Sequence, residues 1–254
     1  MVKRRIADIT ASVLLIVFAA AAVSPALIIA ARVISGGIGP FVDFYVWNPV
    51  YLRGIANSLF ISLISSFGTV VVSVFAAYVF AKVKFRGRSA LFFMYIIVMI
   101  MPFQVTLLPQ YIVSRRLMIY DTPWSMILPG IFAPFAAFLL TQIIKTVPNE
   151  MIEAARLETD STFIIVTRII APIIRPGIIC AWVLSFTEQW NAVAEPIILL
   201  ETKDKYPLSV LLNDIWTNDL LGFAAVLLLL LPPLLIFLFF EDEVIEGLKE
   251  YRLK

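Results

Sequence analysis

Apolar residues run through this chain in long blocks, not at the spacing of a half-buried helix face. Six blocks, at 9–31, 58–81, 89–108, 124–144, 176–199 and 220–240, lie near or above the roughly 20 residues that cross a bilayer as a helix. The pattern predicts an all-α integral membrane protein: one transmembrane domain over residues 1–254, with six transmembrane helices. Lys3, Arg4 and Arg5 precede the first block as they would a secretory signal, but its apolar run exceeds a signal core, so it is read as a span. Prolines fall within or beside the blocks, among them Pro102, Pro176 and Pro196. Each removes a backbone donor and can bend a helix, which lipid tolerates when neighbours or water satisfy the carbonyls set loose.

Between the fourth and fifth blocks the polarity changes. Residues 153 to 177 read EAARLETDSTFIIVTRIIAPIIRPG, with two Glu, one Asp and three Arg in an otherwise apolar chain. Pro148 suits the first turn of a helix, and the acid at Glu150 suits the positive end of its dipole. Thr159, Asp160 and Ser161 then interrupt, and any of them can cap a second helix carrying Phe163, Ile164, Val166, Ile169 and Ile170. The stretch 148–172 thus predicts a short helix, a turn and a longer helix. Ala154 and Ala155 leave a thin face that can enter a groove on another protein, with Glu153 as a charged handle. The other reading of the same residues is an amphipathic helix resting on lipid headgroups.

Lys and Arg orient the chain. With the N-terminus in the cytoplasm, fourteen of the 20 lie inside, including Lys82, Lys84, Arg86 and Arg88 after the second block and Arg156, Arg168 and Arg175 in the charged stretch. The positive-inside rule therefore places both termini in the cytoplasm. Trp47, Trp124 and Trp216 then fall near the outer interface, where amphipathic rings settle.

Composition narrows the function. The chain is 61% hydrophobic and 15% charged, where a soluble domain carries about a quarter charged residues. A net charge of +2 signals no nucleic-acid partner, and the lone Cys180 excludes an intrachain disulfide. With no histidine, His-based metal sites and the usual catalytic triads are excluded. No phosphate-binding P-loop sequence occurs.

Inside the fifth block, Ser185, Glu188, Asn191 and Glu195 recur three or four residues apart and so share one helical face. A charge at mid-bilayer costs about 2.5–3.5 kcal/mol on insertion scales, so Glu188 must face protein or water. Trp182 and Trp190 lie beside it and could stack on a sugar ring. This face either lines a translocation path or makes a polar contact between spans. The outer segment 201–219, with Lys203, Asp204, Lys205, Asp214 and Asp219, reads as a docking surface or as a solvated loop.

The charged stretch resembles the EAA loop of permease subunits of binding-protein-dependent ABC importers. That loop runs Glu-Ala-Ala, three residues, Gly, nine residues, Ile, one residue, Leu-Pro. Here Glu153-Ala154-Ala155 lead with the same spacing to Thr159, Ile169 and Ala171-Pro172, with Thr159 in place of Gly and Ala171 in place of Leu. From about residue 57 onward the likeness continues through Met101-Pro102-Phe103-Gln104, Leu108-Pro109-Gln110-Tyr111, Asp121-Thr122, Trp190-Asn191 and Tyr206-Pro207-Leu208, which resemble the carbohydrate branch and its maltose-type second permease. The tail 249–254 departs from the family's Gly-rich end.

The resemblance implies the ABC importer permease fold in a prokaryotic cytoplasmic membrane. It implies a pathway shared with a second permease, two ATPase subunits carrying ATP and Mg, and a solute-binding protein outside. On this chain it implies no enzyme activity and no cofactor. Glu153, Ala154, Ala155, Arg156, Leu157, Thr159, Ile169 and Pro172 become the ATPase-coupling residues, and Ser185, Glu188, Trp190, Asn191 and Glu195 the candidate path for a sugar. A non-Gly residue at 159 tolerates a left-handed turn poorly, so the turn either differs or couples less well. The competing class is a stand-alone secondary transporter with Glu188 and Glu195 as ion sites, though the chain shows no internal inverted repeat of the kind those folds carry.

Overall fold

The computed structural model describes residues 2–37, 39, 42, 48–212 and 219–252. Trp47 and Trp216, and Asp214 of the outer segment, lie outside the described residues. All regular elements among the described residues are helical.

A long helix α1 (Val2–Ser35) lies at the edge and packs along α12 (Asp219–Phe239). The centre of the molecule is α2 (Pro49–Lys82), opened by the Asn48 side chain accepting from the Val50 amide at 3.0 Å, with Pro49 in its first turn. Its buried face carries Ser58, Ser62, Ser65, Ser66, Thr69 and Ser73. Small side chains let helices approach closely where lipid removes the hydrophobic drive between them. Three helices use that face: α5 (Trp124–Ile131), α6 (Pro134–Thr146) and α9 (Arg175–Trp190). At the α2–α5 crossing the Thr69 hydroxyl lies 2.7 Å from the carbonyls of both Ser65 and Gly130. A Cβ on Gly130 would come within 3.1 Å of Ser65 and 2.9 Å of Gln189 Nε2.

Among the described residues, three helical stretches are long and apolar enough to cross a membrane, at Ser12–Arg32, Pro49–Lys82 and Trp124–Thr146; the number rises to as many as five if each of two bent pairs is one span. The first of these bends falls where a proline interrupts an apolar block. The block at 89–108 divides into α3 (Arg88–Ile100) and α4 (Phe103–Arg116), bent by 99°. Pro102 forces this: it excludes Met101 from helical geometry, and Met101 sits at φ −59°, ψ 132°. The block at 176–199 also divides. Helix α9 stops at Trp190 and α10 (Ala194–Leu199) begins after a three-residue break, with the one-turn α11 (Leu208–Leu211) further on. Pro196 has no N–H for the carbonyl of Ala192 and its ring would clash there, so the helix cannot run through. Pro232 and Pro233, by contrast, lie inside the unbroken α12.

The core gathers at the end of the molecule where α2 and α6 finish. There Tyr78, Leu140, Ile144, Val166, Ile170 and Cys180 are fully enclosed. The final helix α13 (Glu241–Arg252) closes this end by laying Gly247 on α9, where a Cβ would come 2.9 Å from the Pro176 carbonyl oxygen and 3.2 Å from Gly177 Cα.

Candidate functional site

The charged stretch forms two helices seated on that core. Helix α7 (Asn149–Glu158) begins where Lys82, at the end of α2, reaches across: its Nζ donates to the Val147 carbonyl at 2.5 Å and to Asn149 Oδ1 at 3.0 Å. Ile152 and Ala155, three apart, point inward and are each 5% exposed. Glu153, Ala154 and Arg156 face outward, and Leu157 is 91% exposed. One expectation is thereby corrected. Ala155 is a seat against its own chain, and its small size lets α7 lie close; only Ala154 of the two alanines faces outward.

Thr159 ends α7 at φ −154°, ψ 137°. This is extended backbone, open to any residue, so the turn does not need glycine. The Thr159 hydroxyl accepts from the Ser161 amide at 3.2 Å, and the Ser161 hydroxyl accepts from the Ile164 amide at 3.4 Å, capping α8 (Thr162–Ile173). Within α8, residues Ile165–Ile170 form a widened π turn. Its longer period brings Ile165, Val166 and Ile170 to one side, where all three are buried, while Ile169 is half-buried and Pro172 exposed. Helix α8 then turns by 87° into α9. Packed side chains thus connect α7 through α8 to the helix that bears the polar face.

On α9 and α10 the polar residues divide. Glu188 and Asn191 are exposed and Glu195 is half-buried. Asn191 caps the end of α9, its Nδ2 donating to the Thr187 carbonyl at 2.9 Å. Ser185 is buried. Trp190 does not face an open path: it is 1% exposed, stacks on Phe186 with centroids 5.8 Å apart, and its Nε1 donates to the Leu229 carbonyl at 2.8 Å. Its indole fixes α9 to α12. Trp182 likewise packs edge-on against Phe240.

At the opposite end lies a cluster that sequence reading missed. Asp121, at φ 56°, occupies the left-handed conformation that Asp accepts more readily than most residues. Its carboxylate accepts from the amides of Glu201 and Thr202 at 2.8 and 2.9 Å, the Thr202 hydroxyl at 2.6 Å and Lys205 Nζ at 2.7 Å. Burial alone would raise its pKa; these donors outweigh that and hold the carboxyl well below the usual carboxylate range. Beside it Arg53 pairs with Asp204 at 2.6 Å, and Asn57 donates to the carbonyls of Asp204 and Tyr206. The described part of the outer segment is therefore fastened to α2 and to the α4–α5 turn. The Asp121-Thr122-Pro123 sequence signals a turn, but its partners lie some 80 residues away.

Comparison with known proteins places this geometry. The profile of the binding-protein-dependent transport system inner membrane component matches residues 69–245. Similar proteins include the arabinooligosaccharides transport system permease protein AraQ of Halalkalibacterium halodurans, 26% identical over 82% of this chain and 76% of that one. The AraQ of Bacillus subtilis is 30% identical over 78% and 72%. The sn-glycerol-3-phosphate transport system permease protein UgpE of Agrobacterium fabrum is 30% identical over 58% and 52%. In fold, the chain is similar to a bacterial ABC transporter involved in the import of the acidic polysaccharide alginate, with a TM-score of 0.79 at 20% identity over 94% of this chain and 96% of that one. The chain belongs to the family of binding-protein-dependent transport system inner membrane components. It is a permease subunit of an ABC importer, a multi-pass membrane protein, and the ion-coupled secondary transporter has no support.

Proposed function

We propose that this chain forms half of the translocation pathway for a sugar or oligosaccharide and takes its driving motion through α7. The carrying observation is the seating of α7. Ile152 and Ala155 lock it to the core, while Glu153, Ala154 and Leu157 stand outward as a face that a partner can grip. Helix α7 is the coupling helix, held in the surface cleft of one of two ATPase subunits that bind ATP and Mg. ATP-driven closure of the ATPase pair moves α7, and the packed α8 passes that motion into α9, biasing an inward–outward equilibrium. A second permease, a different chain, supplies the other half of the path, and an outer solute-binding protein delivers the substrate. The chain crosses the cytoplasmic membrane six times with both termini inside. The polyhydroxy class of solute rests on the names of the similar permeases, and Glu188, Asn191 and Glu195 are the polar groups available to meet it.

The test is gentle detergent extraction of the tagged chain from its host, with mass spectrometry of what co-purifies. A P-loop ATPase and a second multi-span chain are expected, the ATPase lost or weakened on Glu153→Lys while the second span-bearing chain stays. A stable, monodisperse chain purified alone would overturn the reading.

A further inference from the structure

Two cavities meet at the end of α2 beside the coupling helix. The first, about 540 Å³, lies between the 81–88 turn and α7. It is lined by four cations, Lys82, Lys84, Arg88 and Arg156, against one acid, Glu153. Lys82 reaches Val147 and Asn149 at its rim. The second, about 280 Å³, is lined mainly by Phe80, Phe92, Phe93 and Ile96 with Arg88 and Lys145 at its mouth. Arg88 borders both and is half-buried. The apolar groove runs along α3, which has no buried residue of its own. A basic cleft joined through one arginine to an aromatic groove matches a single ligand chemistry: an anionic head on a hydrocarbon chain.

We propose that this paired cavity binds one anionic phospholipid of the cytoplasmic leaflet. Its phosphate sits among Lys84, Arg88 and Arg156, and an acyl chain lies along Phe80, Phe92, Phe93 and Ile96. Charge complementarity selects the head, since guanidinium and ammonium groups pair with phosphate oxygens, and basic pockets on the cytoplasmic side hold lipid heads. An acidic protein surface could meet the cleft but would leave the groove uncovered, so the lipid accounts for more of the site. The assignment of the leaflet rests on the orientation proposed above. The consequence lies in coupling. Arg156 belongs to α7, whereas Lys84 and Arg88 belong to the turn after α2. A phosphate between them ties the coupling helix to the membrane surface, so the anionic lipid content of the leaflet tunes how far α7 moves.

The experiment uses the full chain with its co-purifying subunits in nanodiscs of phosphatidylcholine, with and without phosphatidylglycerol. Native mass spectrometry reads bound lipid. Wild type should retain one phosphatidylglycerol against a phosphatidylcholine background. Lys84→Gln and Arg88→Gln should each weaken retention about fivefold, and the pair about thirtyfold. Arg86→Gln, outside both cavities, should leave it unchanged. A photo-crosslinker at Phe93 should capture lipid even if the double variant fails to assemble. Equal retention by wild type and the double variant would overturn the proposal, as would capture of a protein chain from position 93. Displacement by inorganic phosphate as readily as by the lipid would show a small-anion site instead. Lipid retention is read apart from transport and from ATPase co-purification, so failure here is distinguishable from failure of the importer reading.

Discussion

The two ends of this molecule are held in opposite ways. At the coupling end, α7 and α8 are keyed to the core by apolar side chains, Ile152, Ala155, Ile165, Val166 and Ile170, and their polar residues point away. At the far end, the α4–α5 turn and the segment after α10 are fastened by polar groups, with Asp121 gathering four donors and Asp204 pairing with Arg53. Apolar keying tolerates a rocking load, because packing is non-directional and the seat moves as a unit with the helices it touches. Hydrogen bonds to one carboxylate are directional and hold a loop in one register. Under the proposed function, the α7 end passes motion on and the Asp121 end keeps its shape while the spans move.

The contrast can be broken most severely at the apolar seat. Val166→Asp places an unpaired carboxyl in a fully enclosed site and should destabilise the chain by about 3 kcal/mol or more, removing it from the membrane fraction. Fluorescence-detected gel filtration of the detergent-extracted protein checks this. Glu153→Lys changes only the exposed face. Transport should fall at least about tenfold while the melting temperature stays within the small range of a surface substitution. A matching fall in stability would show that Glu153 belongs to the seat and not to the grip.

The outer clamp sharpens the comparison through acid. Because the folded pKa of Asp121 is depressed, its contribution is fully present above the unfolded value of about 3.9 and is lost as pH falls toward the lower folded value. Amides of Glu201 and Thr202 should therefore keep their hydrogen-exchange protection through neutral and mildly acidic pH. Asp121→Asn should lower that protection by roughly 1 kcal/mol, discounted for solvent access, and abolish its acid dependence. Protection at α7 should not change in the same variant. The smallest effect is expected at the turn: Thr159→Gly should cost under about 1 kcal/mol and give no gain in transport, since the backbone there is extended. A clear gain would show that the working turn is left-handed.

Much of the coupling end was readable along the chain. The charged interruption, the helix–turn–helix division and a cap among residues 159–161 follow from local rules, and Ser161 takes the capping role. What local rules could not settle was direction. Ala154 and Ala155 are equal by composition, and only the position of α2 and α6 decides that Ala155 is the seat. Trp190 shows the same limit: its spacing put it beside the polar face, yet its indole reaches the Leu229 carbonyl on a helix 39 residues further on. The bending that proline permits occurs at Pro102 and Pro196, whereas Pro232 and Pro233 lie within an unbroken helix; proline marks where a break is possible, and neighbouring packing determines whether it occurs.

Sequence by itself determined the membrane class, the charged insert between the fourth and fifth blocks and the nearness of Glu188 to Asn191, because these depend on block length and on residues three or four apart; the break before α10 removes Glu195 from that helix. Tertiary structure alone decided the Asp121 clamp, the serine-lined crossing of α2 with α5, and the meeting of Lys84 and Arg88 with Arg156. Those contacts join residues 60 to 80 positions apart, and the distance between them is set by how helices pack, which no local periodicity records.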